Sequence, residues 1–364
     1  MKILYDHQMF SFQRFGGITR YFCDLIANLP DDYEFILPIR YSENNHLQKI
    51  GINHDSIFPQ LPFRIKRQYY YRANNCLSKK AISQHDFDVF HPTYYDNYFL
   101  KRLRKPFVLT VHDLTHEKFN SSFLFYDRTA AQKIQLLQQA AHIIAVSHNT
   151  KNDIVDLCNI APDKVSVVHH GYQQIQTPAP QLFSNYILYV GERRGYKNFL
   201  PFLRAISPLL RAKPELKLVC TGRPFDKQEA AAFAGMRVER QIVQIFASDA
   251  ELASLYRHAR LFAYPSLYEG FGIPILESFH NNCPVALSRA SCFPEIAAEA
   301  ALYFDPLEAD SICECIGKIL DNDSLANELR SKGQERLKLF SINKMVRETC
   351  RVYDIISSTG VLDA

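Results

Sequence analysis

Two doubly wound α/β domains are the architecture this sequence predicts, and three observations predict it. Short apolar runs that suit buried parallel strands alternate with helical patterns along the whole chain. A length of 364 residues is long for one core when a domain takes roughly 150 residues. A polar segment holding two prolines, "QQIQTPAPQLFS" at 173–184, precedes a fresh strand and divides the runs into two sets. The expected domains are 1–172 and 185–340, facing each other across a cleft, with a C-terminal helix over 341–364 packing back towards the first.

In the first half the strand candidates are KILYD, EFILPI, FDVFH, FVLTVH, HIIAVS and VSVVHH. In the second they are YILYVG, LKLVCTG, IVQIF, RLFAYP, PVALS and ALYFD. Composition agrees: 47% hydrophobic and 22% charged residues describe an ordinary globular chain. No apolar run approaches the roughly 18 residues of a membrane span. The N-terminus meets Asp6 before any signal-peptide core, which predicts a first buried strand and a cytoplasmic protein. Its nine cysteines include no CxxC, so reduced packing residues are expected rather than disulfides or zinc ligands.

The net charge of +4 is unevenly spread. Between Ser56 and His85 stand six basic residues (Arg64, Lys66, Arg67, Arg72, Lys79, Lys80) and no acid, around Tyr69, Tyr70 and Tyr71. Such a stretch suits nucleic acid, an anionic membrane surface, or a plain solvated face.

Open α/β sheets bind ligands beyond the carboxyl ends of their strands, where helix N-termini point. Four stretches fall there. In "FGGITRYF", Gly16 and Gly17 open a helix and bare its amides to an anion, or simply turn the chain. In "FVLTVHDLTHE", His112 and Asp113 end a strand; His116, four residues on, is not on one helical face with His112, so no metal pair is expected. "LYVGERRGYKNF" sets Arg193, Arg194 and Lys197 at a strand-to-helix junction, which points to a phosphate. "YEGFGIPILE" places Glu269 before a helix and Glu277 within its first turns, with Pro274 at its first position. A phosphate charge and a carboxylate 4 Å apart repel by about 4 kcal/mol at an effective dielectric near 20. The cations therefore take the phosphates, and the glutamates take neutral hydroxyls, which imply a sugar. A glycosidase pair of carboxylates is the rival, but leaves the cations without a task.

At these residues the chain resembles the retaining glycosyltransferases of family four, with the GT-B fold of two Rossmann-like domains. The resemblance covers nearly the whole length and is carried by "GGITRYF", the "HD" after the fourth strand, Arg193 with Lys197, Glu269-x7-Glu277, and "SCFPEIAAEAALYFDP". It implies that Gly16 and Gly17 approach the diphosphate of a nucleotide-sugar donor, that Arg193 and Lys197 neutralise it, and that Glu277 holds the ribose. Glu269, beside the backbone of Phe271, Gly272 and Ile273, would hold the donor sugar; His112 would touch it near the reacting carbon, and Asp113 would orient it. Where many relatives read "PNG", this chain has His169, His170 and Gly171.

The wording "GYKNF" is like that of bacterial mannosyltransferases of polysaccharide assembly, so the expected reaction is transfer of mannose from GDP-mannose, with retention, to a glycan or lipid-linked acceptor. No metal and no cofactor are expected. Residues 63–80 are the expected peripheral contact with the inner face of the membrane, and no nucleic acid is expected. A phosphorylase, a sugar-nucleotide epimerase or a non-catalytic nucleotide-sugar binder are the alternatives.

Overall fold

The computed structural model describes residues 1–119, 127–173 and 179–359. Part of the expected linker, 174–178, and the end of the expected last helix, 360–364, lie outside the described residues. The chain divides into two compact units, Met1–Gly171 together with the segment from Ile342, and Tyr172–Ser341. The twelve apolar runs are the twelve strands of the described residues.

The first unit holds β1 (Lys2–Tyr5), β2 (Glu34–Ile36), β3 (Val89–His91), β4 (Val108–Val111), β5 (His142–Ala145) and β6 (Val165–Val167). They pair in parallel as β2-β1-β3 and β4-β5-β6. A single bridge, Phe90 to Phe107, joins the two sets, with the Phe90 N–H on the Pro106 carbonyl at 3.0 Å. Strands covered by helices on both faces read as near-continuous apolar runs, and β3, β4 and β5 are buried at every residue.

The helix Ile342–Thr359 belongs to this unit although it ends the described chain. Ile342, Met345, Val346, Val352, Tyr353 and Ile356 enter the same core as Ile3, Phe22 and Leu25, each large side chain so buried contributing about 1.5–3 kcal/mol. The Tyr353 hydroxyl lies 3.1 Å from the Tyr5 hydroxyl and 2.6 Å from His91 Nδ1. The other ring nitrogen of His91 meets Thr110 Oγ1 at 2.8 Å, and Tyr21 meets the same threonine at 3.4 Å. Burial lowers the His91 pKa to about 3, so this core histidine is neutral and both its nitrogens are satisfied.

The second unit has one parallel sheet of β7 (Tyr186–Tyr189), β8 (Lys217–Thr221), β9 (Ile242–Ile245), β10 (Leu261–Tyr264), β11 (Val285–Ser288) and β12 (Leu302–Phe304), in the order β12-β11-β10-β7-β8-β9. The helices Phe199–Ala212 and Ala309–Leu320 cover it, with Phe202, Leu203, Ile206 and Leu210 at helical spacing against Ile312, Ile316 and Ile319. Seven of the nine cysteines are buried, and no disulfide forms among the described residues. Among the described residues no helix is long and apolar enough to cross a membrane.

Candidate functional site

In the second unit the chain builds β8 and β9 on one side of β7, then returns to lay β10 on the other. Crossovers leave in opposite directions from β7 and β10, so their carboxyl ends flank the crevice where such sheets take ligands. Lys197 comes from the loop after β7 and Glu269 from the loop after β10. Their side chains form an ion pair, Nζ to Oε1 at 2.6 Å, with 18% and 13% of each exposed.

Local chemistry explains how both arrive. Gly191 has φ 110° and Gly195 φ 54°, and Asn198, also left-handed at φ 57°, starts the helix Phe199–Ala212 while donating to the Pro306 carbonyl at 2.9 Å. The Leu267 N–H takes the Tyr196 carbonyl at 2.8 Å, fastening one loop to the other. On the Glu269 side, Ser291 accepts the Glu269 N–H at 3.1 Å and donates back to the Glu269 carbonyl. The Tyr264 phenol, which ends β10, is hydrogen-bonded to the Glu269 carboxylate; burial first, and then that carboxylate, push its pKa well above the usual tyrosine value. It stays a donor.

Gly272, with φ 90°, precedes the helix Ile273–His280. A Cβ there would lie 3.1 Å from Ile275 Cδ1 and 3.2 Å from Phe293 Cε1, so glycine alone fits. Pro274 takes the second helical position, one later than the sequence suggested, because the helix begins at Ile273. No side chain caps this helix start among the described residues, and Phe271 turns its ring into the core against Phe340, 5.8 Å away. What Phe271, Gly272 and Ile273 offer is backbone at a helix N-terminus. Glu277 lies in the second turn and accepts from the buried Tyr256 hydroxyl at 3.0 Å. The two glutamates thus have separate tyrosine partners.

Arg193, expected on a phosphate, is held by partners within the fold. Its guanidinium is fully buried: Nε donates to Glu229 at 2.8 Å, and the terminal nitrogens donate to the carbonyls of Thr221 at 3.4 Å, Arg223 at 2.5 Å and Pro224 at 3.2 Å. The Phe225 ring lies 4.7 Å beneath it. A guanidinium finds its best partner in a carboxylate fork, and here Glu229 of the helix Lys227–Met236 supplies one from inside the fold. Arg194 is 72% exposed beside Asp226. Lys197 is therefore the cation of the loop that stands at the β7–β10 junction.

In the first unit Gly16 precedes the helix Gly17–Ala27, whose start has no side-chain cap among the described residues. A Cβ on Gly17 would meet nothing within 4 Å, whereas one on Gly16 would overlap the Gln13 side chain. His112 is half-buried after β4. Its N–H donates to the Tyr95 hydroxyl at 3.1 Å, and its ring packs on Tyr21 at 5.3 Å and His170 at 5.6 Å. Burial first, then His91 and Lys133, lower its pKa to about 3, so the ring is neutral. Its Nε2 is buried without a hydrogen-bond partner among the described residues. Asp113 Oδ1 accepts the Thr115 N–H at 2.9 Å, closing the turn.

Sequence reading missed Tyr264, Tyr256, Ser291 and Glu229. Tyr264 carried a signal as the last residue of a strand, and Ser291 opens the "SCFPE" stretch; Tyr256 sits in a helix with nothing in the sequence to mark it.

The family profile described as Glycosyltransferase Family 4 matches residues 15–173, and that described as Glycosyl transferases group 1 matches residues 174–336. The chain is 25% identical over 284 residues to the O-antigen chain mannosyltransferase B of Escherichia coli, covering 71% of this chain and 73% of that protein. It is 27% identical over 201 residues to the O-antigen chain mannosyltransferase RfbU of Salmonella typhimurium, covering 54% of this chain and 56% of that one. With the MMP alpha-(1->4)-mannosyltransferase of Mycolicibacterium hassiacum it shares 27% over 229 residues, 60% of this chain and 55% of that one. The match thus spans little more than half the length of these last two. Among solved structures, the sucrose-phosphate synthase of Thermosynechococcus elongatus superposes with a TM-score of 0.77 at 17% identity, over 98% of this chain and 99% of that one. The Anabaena protein HepE, in complex with UDP and glucose, does so at 0.75 and 15%, over 97% and 99%. At these identities the likeness is one of fold.

Proposed function

Since this chain belongs to the GT-B glycosyltransferases, we propose that it moves mannose from GDP-mannose to a hydroxyl of a glycan or lipid-linked acceptor, with retention, in surface polysaccharide synthesis. The observation that carries this reading is the Lys197–Glu269 pair at the β7–β10 junction. The ammonium holds Glu269 and stands 5.0 Å from the Tyr196 ring, and its positive charge serves the leaving diphosphate. The helix start at Phe271, Gly272 and Ile273 adds its positive dipole end. Glu269 takes hydroxyls of the donor sugar and Glu277 those of the ribose, because a carboxylate on phosphate is repulsive while one on a hydroxyl is a strong acceptor. Neutral His112 brings its buried Nε2 to the sugar, with Asp113 fixing the turn that carries it, and Gly17 leaves room for the diphosphate. Arg193 supports the loop from inside. The mannose preference draws on the mannosyltransferase relatives and on "GYKNF".

Lys197 supplies the charge that a divalent ion supplies in other transferases. With GDP-mannose, an acceptor glycan or polyprenyl-linked oligosaccharide and EDTA, the protein is expected to form an α-mannoside. A β-product by NMR overturns retention, and loss of activity in EDTA that a divalent ion restores overturns the role given to Lys197. Thermal stabilisation by UDP, dTDP or ADP and not by GDP reassigns the donor.

The membrane reading rests on the helix Phe63–Gln84. Phe58, Leu61, Ile65 and Tyr69 are exposed beside exposed Arg64, Arg67, Arg72 and Lys80. Lys66, Tyr70 and Tyr71 leave that face: Lys66 is buried in an ion pair with Glu43, Tyr70 is fully buried, and Tyr71 donates to Asp96. Apolar tips among cations suit an anionic headgroup layer, each cation there contributing about 1 kcal/mol. The protein should float with phosphatidylglycerol vesicles at low salt, less at high salt, and not after Ile65→Glu with Tyr69→Glu. Absence of salt-sensitive flotation leaves a solvated face.

A further inference from the structure

We infer that Lys133, 20 residues beyond Asp113 in the sequence, is a positioning residue of the transfer site, holding the His112–Asp113 peptide where the donor sugar needs it; the inference rests on the reading proposed above. Lys133 lies in the helix Thr129–Gln139 with its side chain wholly buried. Each direction open to its ammonium is used. Nζ donates to Glu117 Oε2 at 2.9 Å and to the Asp113 carbonyl at 2.9 Å, and stands 4.7 Å over the Tyr95 ring. Tyr95 in turn accepts the N–H of His112 at 3.1 Å. The two residues are therefore gripped from both sides, the N–H of the first by Tyr95 and the carbonyl of the second by Lys133.

Stability alone does not explain a charge here. Replacing a buried ion pair by apolar residues of similar volume is often neutral or stabilising. This pair is directional instead: it ties the segment after β3, the turn after β4 and the helix Thr129–Gln139 at one point. That point lies one residue from an imidazole whose Nε2 is buried without a partner among the described residues. A buried polar atom left unmatched calls for an explanation, and for a ring just past the carboxyl end of a strand a ligand supplies one. A ring held for that purpose tolerates little displacement, since a shift of about 1 Å at a reacting centre costs on the order of a hundredfold in rate.

The test uses Lys133→Met/Glu117→Gln, which removes the pair together so that no lone charge stays buried, with Lys133→Met alone beside it. Thermal unfolding confirms a folded protein. In the double variant, turnover with GDP-mannose is expected to fall about tenfold or more while the donor KM holds. In a His112→Ala background the same two changes should cause no further loss, because they act through the ring already removed. Independently of activity, the His112 ring resonance, assigned by its loss in His112→Ala, is expected to move as its contacts with Tyr21 and His170 change. A folded double variant with unchanged turnover, a full multiplicative loss on top of His112→Ala, or an unmoved His112 resonance each overturns the inference. A wild-type protein inactive with every donor would instead count against the proposed function, and the resonance would still decide the role of Lys133.

Discussion

Lys197→Ala lowers turnover by about 10²- to 10³-fold, the usual worth of one preorganised donor at a developing anion, or roughly 3–4 kcal/mol. The expectation follows from the partners of Arg193. With that guanidinium taken by Glu229 and three carbonyls, Lys197 is left to carry the loop's charge towards the leaving diphosphate. Its removal also deprives a largely buried Glu269 of its cation. Lys197→Ala/Glu269→Gln, set against Glu269→Gln alone, therefore serves as the companion: with the carboxylate already neutral, any further loss on adding Lys197→Ala follows the ammonium and not a stranded charge. Single-turnover rates at saturating donor are the measurement. An unchanged rate in Lys197→Ala would remove this residue from the chemistry and, with it, the reading of the β7–β10 junction as the donor site.

Glu229→Ala destabilises the second unit by about 3–5 kcal/mol, the range for breaking a buried pair from one side. At about 2–4 °C per kcal/mol for a unit of this size, the melting point should drop by roughly 10 °C. Glu229 is the common partner of Arg193 and Arg223, and its carboxylate also caps its own helix by accepting the Asp226 N–H at 2.8 Å. Burial alone would raise its pKa, but Arg193, the Asp226 cap and Arg223 outweigh it and hold the carboxyl below its usual value. The sign follows: a depressed carboxyl stabilises the fold above the unfolded pKa of about 4.3, and that contribution is lost as pH falls through the lower folded value. The gap between wild type and Glu229→Ala should narrow in acid. A variant that keeps its melting point and binds GDP more weakly would return Arg193 to the phosphate.

The strands were open to reading because parallel strands between two helical layers are near-continuous apolar runs, and such runs need no partner to be seen. Directions of long side chains were not. Arg193 and Lys197 sit four residues apart in one glycine-bracketed loop, and partners far along the chain, Glu229 36 residues beyond Arg193 among them, decide that Arg193 turns inward. The Asp226-x-x-Glu229 capping box is visible as a helix start, yet nothing local says that its glutamate also faces an arginine. In the basic helix the inward stripe is Lys66, Tyr70, Asn74, Ser78 and Ile82, five residues at a spacing of four of which three are polar or charged. Hydrophobic periodicity is blind to such a stripe, so Lys66 was counted with the outward cations. Of the site, the glutamates, the glycine and Lys197 were legible as types at strand ends, while the tyrosines that orient the glutamates depend on packing between distant segments.

Tyr353 closes the core of the first unit from the far end of the chain, and this sets an order of events on the ribosome. The second unit runs unbroken from Tyr172 to Ser341, so every residue of its sheet has emerged before translation ends. The first unit begins earlier and finishes later. From Gly171 until Ile342 appears, at about 5–20 residues per second, the face of β1 and β3 awaits its covering helix, with His91 lacking the hydroxyl at its Nδ1. For on the order of ten seconds or more the nascent chain therefore carries apolar surface beside the helix Gly17–Ala27 whose second covering helix is still being synthesised.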